Sequence, residues 1–107
     1  MSITFRRVLA LIELGEIRVS AHGYNELAED NITVRDVMSG IAEAIVVEDC
    51  PDYAKGSSVL VLQRDASGNP IHVVWGIPKG MNSPAVLVTA YRPDPDRWSN
   101  DFTERKQ

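Results

Sequence analysis

Val59-Leu60-Val61-Leu62, then Asp65-Ala66-Ser67-Gly68-Asn69-Pro70, then Ile71-His72-Val73-Val74-Trp75-Gly76-Ile77: this stretch decides the fold. It continues through Pro78-Lys79-Gly80-Met81-Asn82-Ser83-Pro84 and returns as Ala85 to Tyr91. β-Branched and aromatic residues fill the runs, and Gly, Pro, Asn and Asp separate them. That pattern predicts consecutive antiparallel strands.

Alternate side chains of a strand face opposite ways. Pairing Arg64 with Ile71 and Ile77 with Val86 gives one solidly apolar face: Leu60, Leu62, Ile71, Val73, Trp75, Ile77, Val86 and Val88. The other face carries Val59, Val61, Gln63, His72, Val74, Gly76, Leu87, Thr89 and Tyr91 and is mixed. The apolar face calls for a layer of helices, and the mixed face can meet water or a ligand. A slip of one residue would exchange the two sets.

Working outward, Ser2 to Leu14 reads as a helix with an apolar stripe of Phe5, Val8, Leu9 and Ile12, capped by Ser2 and closed by Gly15. Glu16 to Ser20 is short and extended. Ala21 to Asn31 reads as a second helix, with Asn31 as a left-handed stop. Thr33 and Asp36 form a capping-box variant that opens a third helix to about Glu43. Gly40 weakens that helix by about 1 kcal/mol relative to Ala and marks a close approach to the sheet. Ala44 to Glu48 reads as the first strand. Past Tyr91 the prolines stop the sheet. Trp98 and Phe102 then anchor an otherwise polar, frayed tail.

The expected architecture is α+β, with N-terminal helices packed on a four-stranded antiparallel sheet. A single domain spans 1–98 and a polar tail spans 99–107. The 107 residues suffice for one core. No apolar run approaches a membrane span and no signal-peptide pattern is present, so the expected location is cytoplasmic. The single Cys50 lies in an acidic setting, Asp49-Cys50-Pro51-Asp52, that holds back a thiolate. The net charge is −4: residues 1–50 hold four Arg against nine acids, and residues 51–107 hold seven Lys or Arg against six. No cation cluster of the kind that non-specific nucleic-acid binding requires stands out, which leaves a local site for one or two phosphates on the second half.

Two histidines are the natural acid–base candidates. His22 opens the second helix, where the helix dipole disfavours its cationic form. His72 shares the mixed face with Tyr91 and Gln63. If His22 overhangs the sheet edge, His22, His72 and Tyr91 form a compact acid–base set, with Arg92, Lys79 or Lys55 placed to bind an anion. Each has a plainer reading: a packed strand histidine, a helix-start histidine, a rim aromatic. Glu26 either orients His22 or lies on a solvated face. No cofactor motif is present, and the histidines and a carboxylate make a poor metal set.

Ser20-Ala21-His22-Gly23, Asp36-Val37, Val46-Val47-Glu48-Asp49, Gly68-Asn69-Pro70-Ile71-His72-Val73-Val74 and Val88-Thr89-Ala90-Tyr91-Arg92-Pro93-Asp94 followed by Trp98 together resemble a family of small bacterial proteins, domain-of-unknown-function family 4258. That family is similar to the RelE-type toxin and barnase-like ribonuclease fold. The resemblance implies metal-independent RNA cleavage on the open sheet face, with no cofactor. It casts His22, His72 and Tyr91 as catalytic groups with Arg92 on the phosphate; Gln63 on the mixed face and Lys79 in the loop are the further substrate contacts expected from their positions. It also implies RNA, a cognate antitoxin or a second copy of the chain as partner. Many relatives carry an Arg-rich helix after the first His, whereas Tyr24-Asn25-Glu26-Leu27-Ala28-Glu29-Asp30 is acidic and weakens phosphate binding. The alternative expectation is a non-catalytic protein-binding module of the same fold, contacting its partner through Trp98 and Phe102.

Overall fold

A computed structural model describes residues 2–106; Met1 and Gln107, the outer ends of the expected domain and tail, lie outside the described residues. Local capping sets where the helices begin. The Ser2 side chain accepts the Phe5 N–H at 3.0 Å and opens α1 (Ile3–Glu13). Gly15, at φ 75°, ends it. The Ser20 oxygen accepts the Gly23 N–H at 2.9 Å and opens α2 (Ala21–Glu29), which stops at Asn31 with φ 55°. Thr33 accepts the Asp36 N–H at 3.0 Å and opens α3 (Val34–Gly40), followed by a 3-10 turn, Ile41–Glu43.

The sheet has five strands: β1 (Ile17–Val19), β2 (Ile45–Cys50), β3 (Ser58–Arg64), β4 (Pro70–Gly76) and β5 (Ala85–Tyr91), in the order β1-β5-β4-β3-β2. The α+β class stands, but the sheet is mixed rather than four-stranded and antiparallel. β1 runs parallel to β5, pairing Ile17 with Ala85 and Val19 with Leu87. Ala85 N–H donates to Glu16 O and Ser20 N–H to Leu87 O, each at 3.0 Å. A strand of three residues is too short for its alternation to declare it, and its partner lies far along the chain.

The β3–β4 register differs from the expected one by a residue. Gln63 lies opposite Ile71 and Leu62 opposite His72. Pro70 belongs to the ladder rather than the turn, paired with Arg64, and Asp65 N–H bonds Asn69 O at 2.9 Å just beyond it. The loop is therefore Ala66-Ser67-Gly68, with Gly68 at φ 83°, the left-handed position of a three-residue hairpin loop. The slip reverses β3: Val59, Val61 and Gln63 face the helices, and Leu60 and Leu62 face away. On β5 an irregularity between the Val74–Thr89 and Trp75–Leu87 pairs inserts Val88. Leu87 and Ala85 thereby turn inward while Tyr91 stays outward opposite His72. The core joins Phe5, Val8 and Leu11 of α1, Leu27, Val37 and Ile41 to Val59, Val61, Ile71, Val73, Trp75 and Leu87.

Gln63 is thus buried beneath α3, donating to Val37 O at 2.9 Å, and is no part of the open face. Gly40 sits against it. A Cβ there would lie 2.7 Å from Arg64 O and 2.9 Å from Gln63 Nε2. Its backbone, φ −97° and ψ −4°, is open to any residue, so contact alone demands glycine. In Gly40→Ala, about 1 kcal/mol of helix propensity opposes roughly 1–3 kcal/mol of overpacking. The expected outcome is a lower urea midpoint at unchanged m-value; a raised midpoint would refute the close contact.

Candidate functional site

The sheet face away from the helices has two halves with different surroundings. In the first, His72 and Tyr91 face each other across β4 and β5. Tyr91 Oη lies 3.2 Å from His72 Nδ1, and the rings meet edge-to-face at 5.3 Å. His72 Nε2 lies 2.9 Å from Phe102 O. A carbonyl only accepts, so Nε2 carries the proton and donates to it. Nδ1 of the neutral ring then accepts from the Tyr91 hydroxyl.

Residues from Arg92 onward build the lid over this pair. Trp98, 4% exposed, packs edge-on against His72 at 4.5 Å. Trp98 bridges to Arg105, and Lys106 N–H donates to Arg97 O at 2.8 Å. The Asp101 carboxylate accepts from the Ser99 and Thr103 hydroxyls and the Thr103 N–H, folding the intervening turn. Phe102 adopts φ 63°, a left-handed conformation uncommon for a bulky residue, and its carbonyl meets His72. Arg105 lies over the Trp98 ring at 4.7 Å and reaches both oxygens of Glu48 on β2, at 2.6 and 3.0 Å. The tail is polar in composition, yet it is folded rather than frayed, because its backbone pairs with itself and its one large indole is buried.

Energetically the indole dominates. A buried Trp removes roughly 150–250 Å² from water, worth about 4–6 kcal/mol as an upper figure at about 25 cal/mol per Å². The rim pair Glu48–Arg105 contributes at most about 1 kcal/mol. Burial lowers the His72 pKa, with the Phe102 carbonyl opposing, and burial raises the Tyr91 pKa. The Arg105 hydrogen bond holds Glu48 below its ordinary value. His72 is buried and both its ring nitrogens are hydrogen-bonded, so the imidazole has no free lone pair or proton for a substrate, while Tyr91 is half-buried beside it.

The other expected site residues lie elsewhere. His22 is exposed on α2, 3.5 Å from Glu26, and makes no hydrogen bond or ring contact with His72 or Tyr91 among the described residues. Arg92 is spent on structure: its backbone N–H bonds the Asp30 carboxylate at 2.7 Å, Nε bonds Asp30 O at 3.1 Å, and Nη1 bonds Asp65 Oδ2 at 2.9 Å. Lys79 follows the far end of β4, beyond Gly76. Only His72 and Tyr91 of the expected set come together. Among the described residues no group of three or more His, Cys, Asp or Glu is placed to hold a metal ion, and no helix is long and apolar enough to cross a membrane.

The second half of the face is uncovered. It forms a groove of ≈ 540 Å³ floored by Val74, Gly76, Val86 and Val88, within the usual range of about 300–1,000 Å³ for ligand sites. Arg18 stands on the β1 side, and Tyr53 and Lys55 stand on the β2–β3 connection. Tyr53 is 56% exposed. None of these cations has an ion-pair partner among the described residues. Sequence reading found Lys55 but missed Arg18 and Tyr53. For Arg18 the local mark is Ile17-Arg18-Val19, too short to declare a strand by itself; once β1 is in place, period two sends Arg18 away from the core. Tyr53 has no such local mark.

Gly56 fixes the groove wall. Ile77 N–H bonds Ser57 O at 3.0 Å and Lys79 N–H bonds Lys55 O at 3.1 Å. Gly56, at φ 125°, passes so close beneath that a Cβ would stand 2.1 Å from Ile77 O. That conformation and that approach exclude a side chain.

A family model described as Domain of unknown function (DUF4258) matches residues 19–92, and the chain belongs to that family. The match includes His72, Tyr91 and the Tyr53–Lys55 wall, and ends where the lid begins. No curated protein and no solved structure matches the chain.

Two outcomes are expected. Because folding lowers the His72 pKa, its contribution to stability is complete above about pH 6.5, the ordinary histidine value, and declines as pH falls towards the folded value. Between pH 7.5 and 5.5 the melting temperature should fall. In His72→Gln it should start lower, by the equivalent of about 1–3 kcal/mol, and fall less; equal slopes would show that another group titrates. Gly56→Ala should leave the helical circular dichroism intact and detach the wall, seen as loss of amide-exchange protection at Ile77 and Lys79. Retained protection at both amides would contradict the Gly56 contact.

Proposed function

We propose that this chain is a binding module for single-stranded RNA, held at the uncovered half of the sheet face and not cleaved at His72. The observation that carries the reading is the meeting of an exposed aromatic, Tyr53, and two unpaired cations, Arg18 and Lys55, over an apolar sheet floor. Bases stack on aromatic side chains without regard to sequence, and cations track the phosphates. The resemblance that the sequence motifs suggest to RelE-type and barnase-like proteins favours RNA as the anion. Overall charge of −4 repels nucleic acid elsewhere on the surface, which favours one local site over general coating. Catalysis through His72 finds no support in a ring whose two nitrogens are already bonded to Phe102 and Tyr91.

The protein-binding alternative drew on the acidic helical half, with Trp98 and Phe102 as its contacts if exposed. Trp98 is buried against His72, so that reading loses its main anchor.

The test is fluorescence anisotropy with a labelled hexauridylate at low salt. Stacking on one aromatic is worth about 1–3 kcal/mol per base, so Tyr53→Ala should weaken binding roughly 5- to 150-fold. Two phosphate contacts give a salt slope of about −1.4, which the Arg18→Gln, Lys55→Gln double variant should flatten. Absence of binding by the parent chain, or equal affinity in Tyr53→Ala, would overturn the reading. Cleavage of the oligonucleotide that disappears in His72→Gln would restore the catalytic one.

A further inference from the structure

The β2–β3 connection has a second side. Tyr53, Gly56, Ser57, Ile77 and Pro78 line the groove and also a neighbouring cleft of ≈ 310 Å³. That cleft takes Arg7 from α1, Lys79 and Met81 from the β4–β5 loop, and Asp52 from the connection itself. The two hollows are chemically unlike. The groove has an apolar valine floor and no carboxylate in its wall. The cleft sets two cations against one acid, and neither Arg7 nor Lys79 has an ion-pair partner among the described residues. Uncommitted cations from a helix and a loop facing one hollow are suited to an anion, and an arginine's planar fork suits a phosphate.

We infer that the Arg7–Lys79 cleft is a phosphate subsite that continues the groove across Tyr53. Resting on the RNA-binding reading, it names the ligand class: an oligonucleotide with phosphates on both sides of the stacked base, in preference to a mononucleotide. Tyr53 borders both hollows, so a strand whose base lies on it passes one neighbouring phosphate to Arg18 and Lys55 and the next to Arg7 and Lys79. Asp52 opposes the anion and limits its affinity.

Calorimetric titration of uridine 5′-monophosphate and of tetrauridylate separates the two claims. The Arg7→Gln, Lys79→Gln double variant should bind the tetranucleotide at least 10-fold more weakly and the mononucleotide as the parent does. Its salt slope for the tetranucleotide should be shallower by about 0.7, the share of one phosphate. Lys79→Gln alone, at an exposed position, should act in the same direction if the Arg7 change disturbs α1. Asp52→Asn should tighten the tetranucleotide severalfold, which a purely structural cleft would not do. A parent chain that binds neither ligand removes the groove and the cleft together. A parent that binds both, with the Lys79 and Asp52 variants unchanged for the tetranucleotide, removes the cleft alone. Equal weakening for both ligands would also overturn it, because the cations would then belong to the groove.

Discussion

One carboxylate fixes the geometry on which the rest depends. Asp65 Oδ1 accepts the Ser67 and Asn69 N–H groups, each at 2.9 Å, and closes the β3–β4 loop. Its Oδ2 accepts from Arg92 at 2.9 Å, tying the end of β5 to the same corner. The Asn69 N–H, followed by the Arg92 and Ser67 bonds, holds the acid below its ordinary pKa. The corner admits a three-residue loop and so pairs Gln63 with Ile71. With strand period two, that choice assigns every side chain of β3 to a face. It buries Val59 and Val61 under the helices, sends Gln63 to the Val37 carbonyl of α3, and leaves His72 on the face that Trp98 covers.

A single sheet face therefore carries two solvents. Over His72 the tail excludes water. The imidazole suits that place because it presents a donor and an acceptor at opposite ring positions, one for Phe102 O and one for Tyr91 Oη. The left-handed Phe102 costs about 1–2 kcal/mol, and the hydrogen bond and the buried Trp98 offset it. Over Val74 and Val88 the face stays half-exposed, with Val86 buried beside them, and the irregularity at Val88 keeps that side chain on the groove floor. The contrast follows from where the tail crosses, not from any difference between the strands themselves.

What could be read from the residues was what local forces decide. Ser2, Gly15, Asn31 and Thr33 act within a turn of their own positions, and the helix ends fell where those residues put them. Gly40 was legible as a close approach because a glycine inside a short helix has few other reasons. The hairpin register was not, since Pro70 reads as turn and is in fact ladder. β1 depends on Ala85–Leu87, and the lid depends on Glu48, both distant in the chain. At the site, His72 and Tyr91 were placed together correctly. Arg92 failed as an anion site because Asp30 and Asp65, distant in the chain, claim it first.

The lid also decides what His72 can do. Baring the imidazole means lifting Trp98, at a cost of about 4–6 kcal/mol from the indole alone. Every 1.4 kcal/mol is a factor of ten, so at that upper figure the uncovered form holds about one molecule in 10³ to 10⁴. A substrate acting on that form would bind that much more weakly than its contacts warrant. The groove carries no such penalty, since Tyr53, Arg18 and Lys55 already stand in water. The family match ends at residue 92, so Trp98, Phe102 and Arg105, which impose the penalty, lie outside the matched span while His72 and Tyr91 lie within it. On one face of one sheet, accessibility separates a histidine committed to structure from a surface free to bind.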